Sequence, residues 1–557
     1  MSCFRFIHCR GISGFILLIA IHFSVYSAQP DQYSIYEPYY CNRSDITLNL
    51  TGATSSICTY INNVRNYCYN TLWHLPPHGQ IVTGLQGTCV LTYDGGIYRN
   101  LTYVGSELAC KSPFVADRVS WSCRLPLKSF VFPKNQGEPR CSAGNPCDTA
   151  TGNKFQAETD LDSGAVGINL VRYYNSGASD SSSSFGFGWS HNYSLALGVS
   201  YDQIQVMSSD GRAEWFTLTN GTWGGDADSR LRLTQDAGGY TLTDAAGTVE
   251  RYDNGGRIQS STETNGRVTA FAYDASQRLS SVTGPFGHTL QLSYDSANRI
   301  SRVTYPDGLF SQYQYDAQGN LSQVVHQDGS VRRYHYENAT FPHALTGITD
   351  ENGVRFATWS YDGQGRANLS QHADGAEQVN LVYNSDSSTD VTDSLNTTRH
   401  YTFQNVLNVW KLTGLSQPGS TGGGTTTQTR SYDANGNLAS QTDFNGNLSC
   451  YAYDLSRNLE TVRLGGLPPG SSCPANLAGY TPAAGSNVHK IGSQWHANYR
   501  LPTQIDEAGR RTTFSYDAGG NLLSKTVTDT STQQSRTWTY TYNIGPNPEP
   551  GRPAHRR

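Results

Sequence analysis

The chain has 557 residues, room for several domains of about 100–200 residues each. Only 15% of it is charged, whereas 56 Gly, 35 Tyr and 2 Met favour strands and turns over helices. The net charge of −5 includes no basic block, so nucleic acid is excluded from the expected partners.

Residues 1–27 read as an export signal. Arg5 and Arg10 are followed by a run from Gly11 to Val25 that is apolar apart from Ser13, His22 and Ser24, and small residues stand at Ser27 and Ala28. The run is shorter than the roughly 20 apolar residues of a membrane-spanning helix, and no later segment could span a membrane. Residues 28–140 read as a small disulfide-rich β module. Beyond the signal the cysteines are Cys41, Cys58, Cys68, Cys89, Cys110, Cys123, Cys141 and Cys147, then Cys450 and Cys473. Their even number and clustering indicate disulfides formed in an oxidising compartment, and no two of them have the C-x-x-C spacing of a zinc site. Connectivity in the N-terminal set stays open. Cys450 and Cys473 stand outside it, 23 residues apart, and are expected to pair with each other. Short runs such as Thr88–Tyr93 before Asp94-Gly95-Gly96 suggest strands and turns.

Residues 143–220 carry an ordered set of motifs: Gly144-Asn145-Pro146, Thr151-Gly152-Asn153-Lys154, Glu158-Thr159-Asp160, Leu170-Val171-Arg172-Tyr173-Tyr174-Asn175-Ser176 and Phe185-Gly186-Phe187-Gly188-Trp189-Ser190-His191-Asn192-Tyr193. The set resembles the domain that opens the repeat region of bacterial Rhs proteins. Cys147 stands where that family has an apolar residue, and is expected to pair with Cys141 or with the preceding module. His191 has no nucleophile motif beside it and reads as a core or capping histidine.

From about 236 to 543 the chain repeats itself. Tyr-Asp occurs at Tyr252-Asp253, Tyr273-Asp274, Tyr294-Asp295 and Tyr315-Asp316, with Tyr336-Glu337 in phase, in steps of 21 residues. It returns at Tyr361-Asp362, Tyr432-Asp433, Tyr453-Asp454 and Tyr516-Asp517. A fixed period of this length means stacked supersecondary units. The Asp starts a turn by accepting hydrogen bonds from nearby amides, and the residue four after Tyr (Gly256, Asn298, Gly319, Gly365, Gly436, Gly520) tolerates positive φ. An aliphatic residue then opens the next strand. Two residues before the Tyr, in seven copies, sits a large apolar or aromatic side chain: Phe271, Leu292, Tyr313, Tyr334, Trp359, Tyr451 or Phe514. Period-2 spacing puts it on the face of the Tyr. Second turns recur between motifs, as at Pro306-Asp307-Gly308, so one repeat is two antiparallel strands and two turns.

These repeats resemble the tyrosine/aspartate (YD) repeats shared by Rhs proteins, insecticidal toxin-complex C components and the teneurins, over roughly residues 143–525. The resemblance implies an all-β fold, an antiparallel sheet curling into a partial shell. A Gly/Ser/Thr tract at 419–428 reads as a flexible loop, and 465–492 as an insertion pinned by Cys450 and Cys473. Residues 544–557 read as a disordered tail. Full-length Rhs proteins continue with an Asp-Pro-x-Gly-Leu element and a toxin, neither of which is in this sequence, so an N-terminal piece of such a protein is expected.

No P-loop, dinucleotide-binding glycine motif, His-Glu-x-x-His or Gly-x-Ser-x-Gly occurs, and no catalytic residue, metal or cofactor is expected. The expected function is a secreted, non-catalytic shell of a bacterial polymorphic-toxin or contact-dependent competition protein, exported by the general secretory pathway to the medium or the cell surface. The alternative is a cell-surface adhesin or carbohydrate-binding protein. Expected partners are a toxin domain or a surface glycan, with self-association through an open sheet edge.

Overall fold

A computed structural model describes residues 133–542, apart from 163, 165, 166, 200–202 and 420–423. Side chains are described from residue 134 on, and before 133 only the backbone of short strands. The chain divides into two compact units, Met1–Leu127 and Lys128–Arg557. In the first, Ser44–Leu50, Ile35–Cys41, Gly96–Gly105 and Gln86–Tyr93 pair in that order as an antiparallel sheet. The export signal, the side chains of Cys41, Cys58, Cys68, Cys89, Cys110 and Cys123, and the tail at 544–557 lie outside the described residues.

The second unit is nearly all β, with no α-helix among its described residues. Twenty-seven strands, from Arg232–Asp236 to Ser535–Thr539, pair in strict chain order, each antiparallel to the next. Each repeat turns on its Asp. In the copy at 252, the Gly256 amide bonds to the Asp253 carbonyl (3.0 Å) and the Asp253 amide to the Arg257 carbonyl (2.9 Å), with Gly256 at φ +82°. This is a type I turn closed by a left-handed residue, which places a bulge in the hairpin. The same register shift recurs beside Tyr252, Tyr273, Tyr294, Tyr315, Tyr361, Tyr432, Tyr453 and Tyr516. A bulge bends its strand and raises the local twist, so bulges repeated at one edge curl the sheet.

The curl is large enough to bring the chain back upon itself. Between Arg232 and Leu459 lie roughly 100 Å of sheet at about 4.8 Å per strand, yet the Asn458 side-chain amide donates to the Ala227 carbonyl at 2.7 Å. No ladder joins the last strand to the first, so the sheet is not a closed barrel.

The opening segment lies against one face of this sheet. Its core is a three-stranded unit of Phe155–Asp162, Asn169–Asn175 and Trp189–His191. Backbone bonds tie the segment to the sheet near the Tyr-Asp turns: Leu197 amide to Gly256 carbonyl (2.8 Å), Ile300 amide to Ser184 carbonyl (2.7 Å) and Ala367 amide to Gly152 carbonyl (2.9 Å).

Several local expectations change. Cys141 and Cys147 do not pair with each other; both are free thiols. The Thr149 amide bonds to the Cys141 carbonyl and Cys147 sits opposite Ala143, so the two cysteines are diagonal neighbours in the ladder. That separation of about 7–8 Å is too wide for a disulfide. The 419–428 tract is not all loop, since Thr425–Tyr432 is a strand paired with Val409–Pro418. Its β-branched threonines carry the ladder. Tyr383 adds a repeat copy that its missing Asp had hidden; its hydroxyl donates to the Ala367 carbonyl (2.6 Å), as most other repeat tyrosines do to theirs. The insertion folds over a small core of Leu448, Val462, Leu464, Leu467 and Leu477, where Cys450 and Cys473 form a disulfide with Cα atoms 5.8 Å apart.

Two measurements test these assignments. Gly319 has φ +88°, whereas Gln277 holds the equivalent position at φ +65°. In urea denaturation, Gly319→Val should cost about 2 kcal/mol and Gln277→Gly should gain about 1. Gln318→Val, at the exposed neighbour, should stay within about 0.5 kcal/mol. Replacing both Cys450 and Cys473 with Ser should cost about 2–4 kcal/mol and expose 468–488 to proteolysis, and unchanged cleavage there would show that the bond does not hold the insertion.

Candidate functional site: the repeat turns and the covered face

The Tyr-Asp motif is a self-contained hydrogen-bonding unit. Asp274 Oδ1 accepts from the amides of Ser276 and Arg278 (both 2.9 Å), and its Oδ2 holds the Arg278 guanidinium at 2.8 Å. The same closure joins Asp253 to Arg257, Asp295 to Arg299 and Asp362 to Arg366. In Asp316, Asp433 and Asp517 an asparagine takes the place of the arginine: Asn320, Asn437 and Asn521. Asp454 instead holds the Ser456 hydroxyl at 2.6 Å. The Arg278 amide and guanidinium hold the Asp274 carboxyl below its usual range.

Most of the repeat tyrosines reach back one repeat. The hydroxyls of Tyr273, Tyr294, Tyr315, Tyr361, Tyr432 and Tyr516 donate to the carbonyls of Ile258, Leu279, Ile300, Leu345, Leu412 and Pro502, at 2.6–2.8 Å. Tyr252, the first copy, bonds to Glu250 instead (2.6 Å). Tyr453 rests among charged neighbours, and burial followed by Glu460 pushes its hydroxyl up to about 12. The turn arginine then lies over the next tyrosine: Arg278 over Tyr294 at 4.5 Å and Arg299 over Tyr315 at 4.2 Å. Asp, Arg and Tyr thus consume one another's polar groups. Among the described residues no group of three or more His, Cys, Asp or Glu could hold a metal ion.

Among the described residues, buried polar groups concentrate on the covered face. Phe185 meets Tyr313 (4.8 Å), Trp189 meets Tyr334 (5.1 Å), and Lys154 lies over Trp359 (4.0 Å). Between these rings the fully buried Arg172 forms a bidentate pair with Asp160 (2.6 and 2.8 Å) and donates to the Tyr334 hydroxyl (2.9 Å). Tyr313 donates to Asp160 (2.8 Å) and Tyr334 to Glu158 (3.1 Å), while Arg332 reaches Glu158 at 2.6 Å. Sequence reading named Glu158, Asp160 and Arg172 only as motif letters. Their alternation along two strands was the available signal for a shared, charged inner row.

Three further groups are perturbed by burial. His191 is enclosed edge-on against Phe185 (5.3 Å), and desolvation drives its pKa down to about 3, which keeps it a neutral core residue. Lys154 is lowered to about 7 by burial, with its ammonium on the Asn145 and Phe155 carbonyls and the Gln156 side chain. Asp148 is raised to about 6 by burial while its Oδ1 accepts from the Ala150 and Thr151 amides. All three are closed off from solvent.

Residues 192–409 match the family description "Teneurin YD-shell", 500–534 match "RHS Repeat" and 144–216 match "Domain of unknown function (DUF6531)". The chain carries teneurin-type YD-shell and RHS repeats. Similar solved structures include a crystal structure of TcdB2-TccC3-TEV, at 11% identity and a TM-score of 0.38 over 69% of this YD-repeat chain and 20% of that chain. Another is the Photorhabdus luminescens Tc holotoxin pore with the TccC3 D651A mutation, at 14% identity and a TM-score of 0.28 over 72% of this chain and 22% of that one. The YD-repeat chain therefore spans about a fifth of the length of these chains. No curated protein matches it.

The buried His191 generates a pH test. Its folded pKa lies below the ordinary 6.5, so below about 6.5 the unfolded state takes up a proton that the folded ring refuses. The stability it permits at neutral pH is lost as the pH falls toward 3. Between pH 7 and 5, His191→Phe should gain about 1–2 kcal/mol on the wild type in urea denaturation. A constant difference across that range would mean that the folded ring takes up the proton as readily as the unfolded one.

Proposed function

We propose that this chain is an exported, non-catalytic scaffold, a YD-repeat shell that wraps polypeptide cargo in a polymorphic-toxin or contact-dependent competition system. One observation carries the reading: the inner face changes character along the sheet. In the early strands Phe271, Leu292 and Tyr313 are buried and stand opposite Val282, Val303 and Val324. In the late strands the equivalent aromatics, Tyr451 and Phe514, are only partly buried and stand opposite Arg463 and Lys525. There the face forms an open groove of about 550 Å³. Valine suits a face already covered by the protein's own opening segment. Long cationic side chains beside rings suit a wall that meets water or a foreign chain.

The repeat Asp residues are spent on turns, which supports a structural rather than a chemical use. Export rests on the N-terminal signal pattern, and no helix among the described residues is long and apolar enough to cross a membrane.

Small-angle scattering tests the shell: a compact body of 557 residues would have a radius of gyration of about 24 Å, and a wrapped, partly hollow sheet should exceed that. Deleting the gene should abolish inhibition of a neighbouring strain by the producer cell in co-culture. Undiminished inhibition by the deletion strain would refute the competition role.

A further inference from the structure

Where the second turn of the curl meets the first, the seam is not tightly closed. The turns at 244–247 and 263–266 face the loops at 455–458 and 497–501 across a cleft of about 980 Å³. The size suits a small ligand of a few sugar rings. Four arginines line it: Arg230, Arg232, Arg457 and Arg500. Among the described residues no carboxylate lies within ion-pair distance of any of them, although the turn arginines at 257, 278, 299 and 366 all pair with their own Asp.

The exception has a cause in the repeat itself. In the copy at Tyr453 the arginine comes three residues after Asp454 rather than four, and the left-handed position moves to Asn458 (φ +51°). Arg457 therefore cannot close back onto Asp454, which takes Ser456 instead. Arg457 turns across to the His496 and Tyr499 carbonyls (2.8 and 2.9 Å). Arg500 donates in return to the Arg457 carbonyl and to the Asn458 carbonyl (2.7 Å). Two guanidinium heads are thus fixed by backbone acceptors while keeping further donors, the pre-organised state that a bidentate anion contact exploits. Burial, then the charges of Arg230 and Arg457, hold Arg500 below its ordinary pKa, a sign of uncompensated positive charge.

The opposite wall differs. Asp244 accepts from the Ala246 and Thr248 amides of its own turn and Glu263 from the Asn265 side chain, which leaves carboxylate oxygens as acceptors for hydroxyl groups. Asp226, also on the lining, is taken by Lys134 (2.5 Å). Tyr499 adds a ring, backed by His496 at 5.0 Å. A continuous polyanion would be repelled by the acidic wall. A ligand with an anionic group on one side and hydroxyls on the other satisfies both.

We propose that this seam cleft binds an acidic oligosaccharide, its carboxylate or sulfate on Arg230, Arg457 and Arg500 and its hydroxyls toward Asp244 and Glu263. Isothermal titration of the full chain with trigalacturonate, 3′-sialyllactose, maltotriose and sodium sulfate tests it. At least one acidic sugar should bind saturably, with maltotriose silent and sulfate far weaker. Arg230→Gln, at an exposed residue, should weaken binding by about tenfold without changing the melting temperature. Arg457→Gln should weaken it further. The proposal is overturned if neither acidic sugar binds, if maltotriose or sulfate binds as tightly, or if both variants bind like the wild type.

Discussion

The repeated bulge beside each Tyr-Asp pair is the constraint from which the rest of the structure follows. An Asp carboxylate collects the amides two and four residues on, and the residue before the last of these must take a left-handed conformation. The hairpin then has one residue too many on one side. A single bulge would only bend a strand. Bulges at one edge, about every second strand, bend the whole sheet in one direction and give it an inside. Neither the covered face nor the seam would exist in a flat sheet of the same composition.

The opening segment makes that inside specific. Apolar contact alone would allow several docking positions, because rows of valines and rings look alike from repeat to repeat. The Asp160–Arg172 pair, with Tyr313 and Tyr334 bonded to it, selects one. Buried ion pairs add little net stability, because desolvation offsets their attraction, but removing one partner leaves a buried charge at about 3–5 kcal/mol. Docking shifted by a single repeat would leave charges in that state. The network therefore works as a register key between segments 162 residues apart in sequence.

Repetition also makes departures informative. Where a copy keeps its Asp, turn glycine and arginine, the polar groups satisfy one another and nothing is left to recognise a ligand. Where the arginine slips by one position, as at Arg457, a charge is released to do something else. Likewise, the exchange of inner-face Val282 and Val324 for Arg463 and Lys525 marks where the protein stops covering its own sheet.

Much of this chain could be read from its residues. The 21-residue period, the turn-forming Asp, the positive-φ position and the facing large side chains are all local, and strands that pair with their nearest neighbours in sequence need no long-range information. The pairing of Cys450 with Cys473 belongs to the same class, since both lie within one insertion. Local patterns could not show that Cys141 and Cys147 sit on a diagonal, because ladder register depends on which carbonyl Thr149 finds. Nor could they show that Gln277 is forced into the conformation that glycine takes elsewhere. The convergence of Arg230, Arg457 and Arg500, and of Glu158, Asp160 and Arg172 with Tyr313 and Tyr334, depends on how far the sheet has turned after some twenty strands. That accumulated curvature is a sum of many small twists, and only the folded chain carries it out.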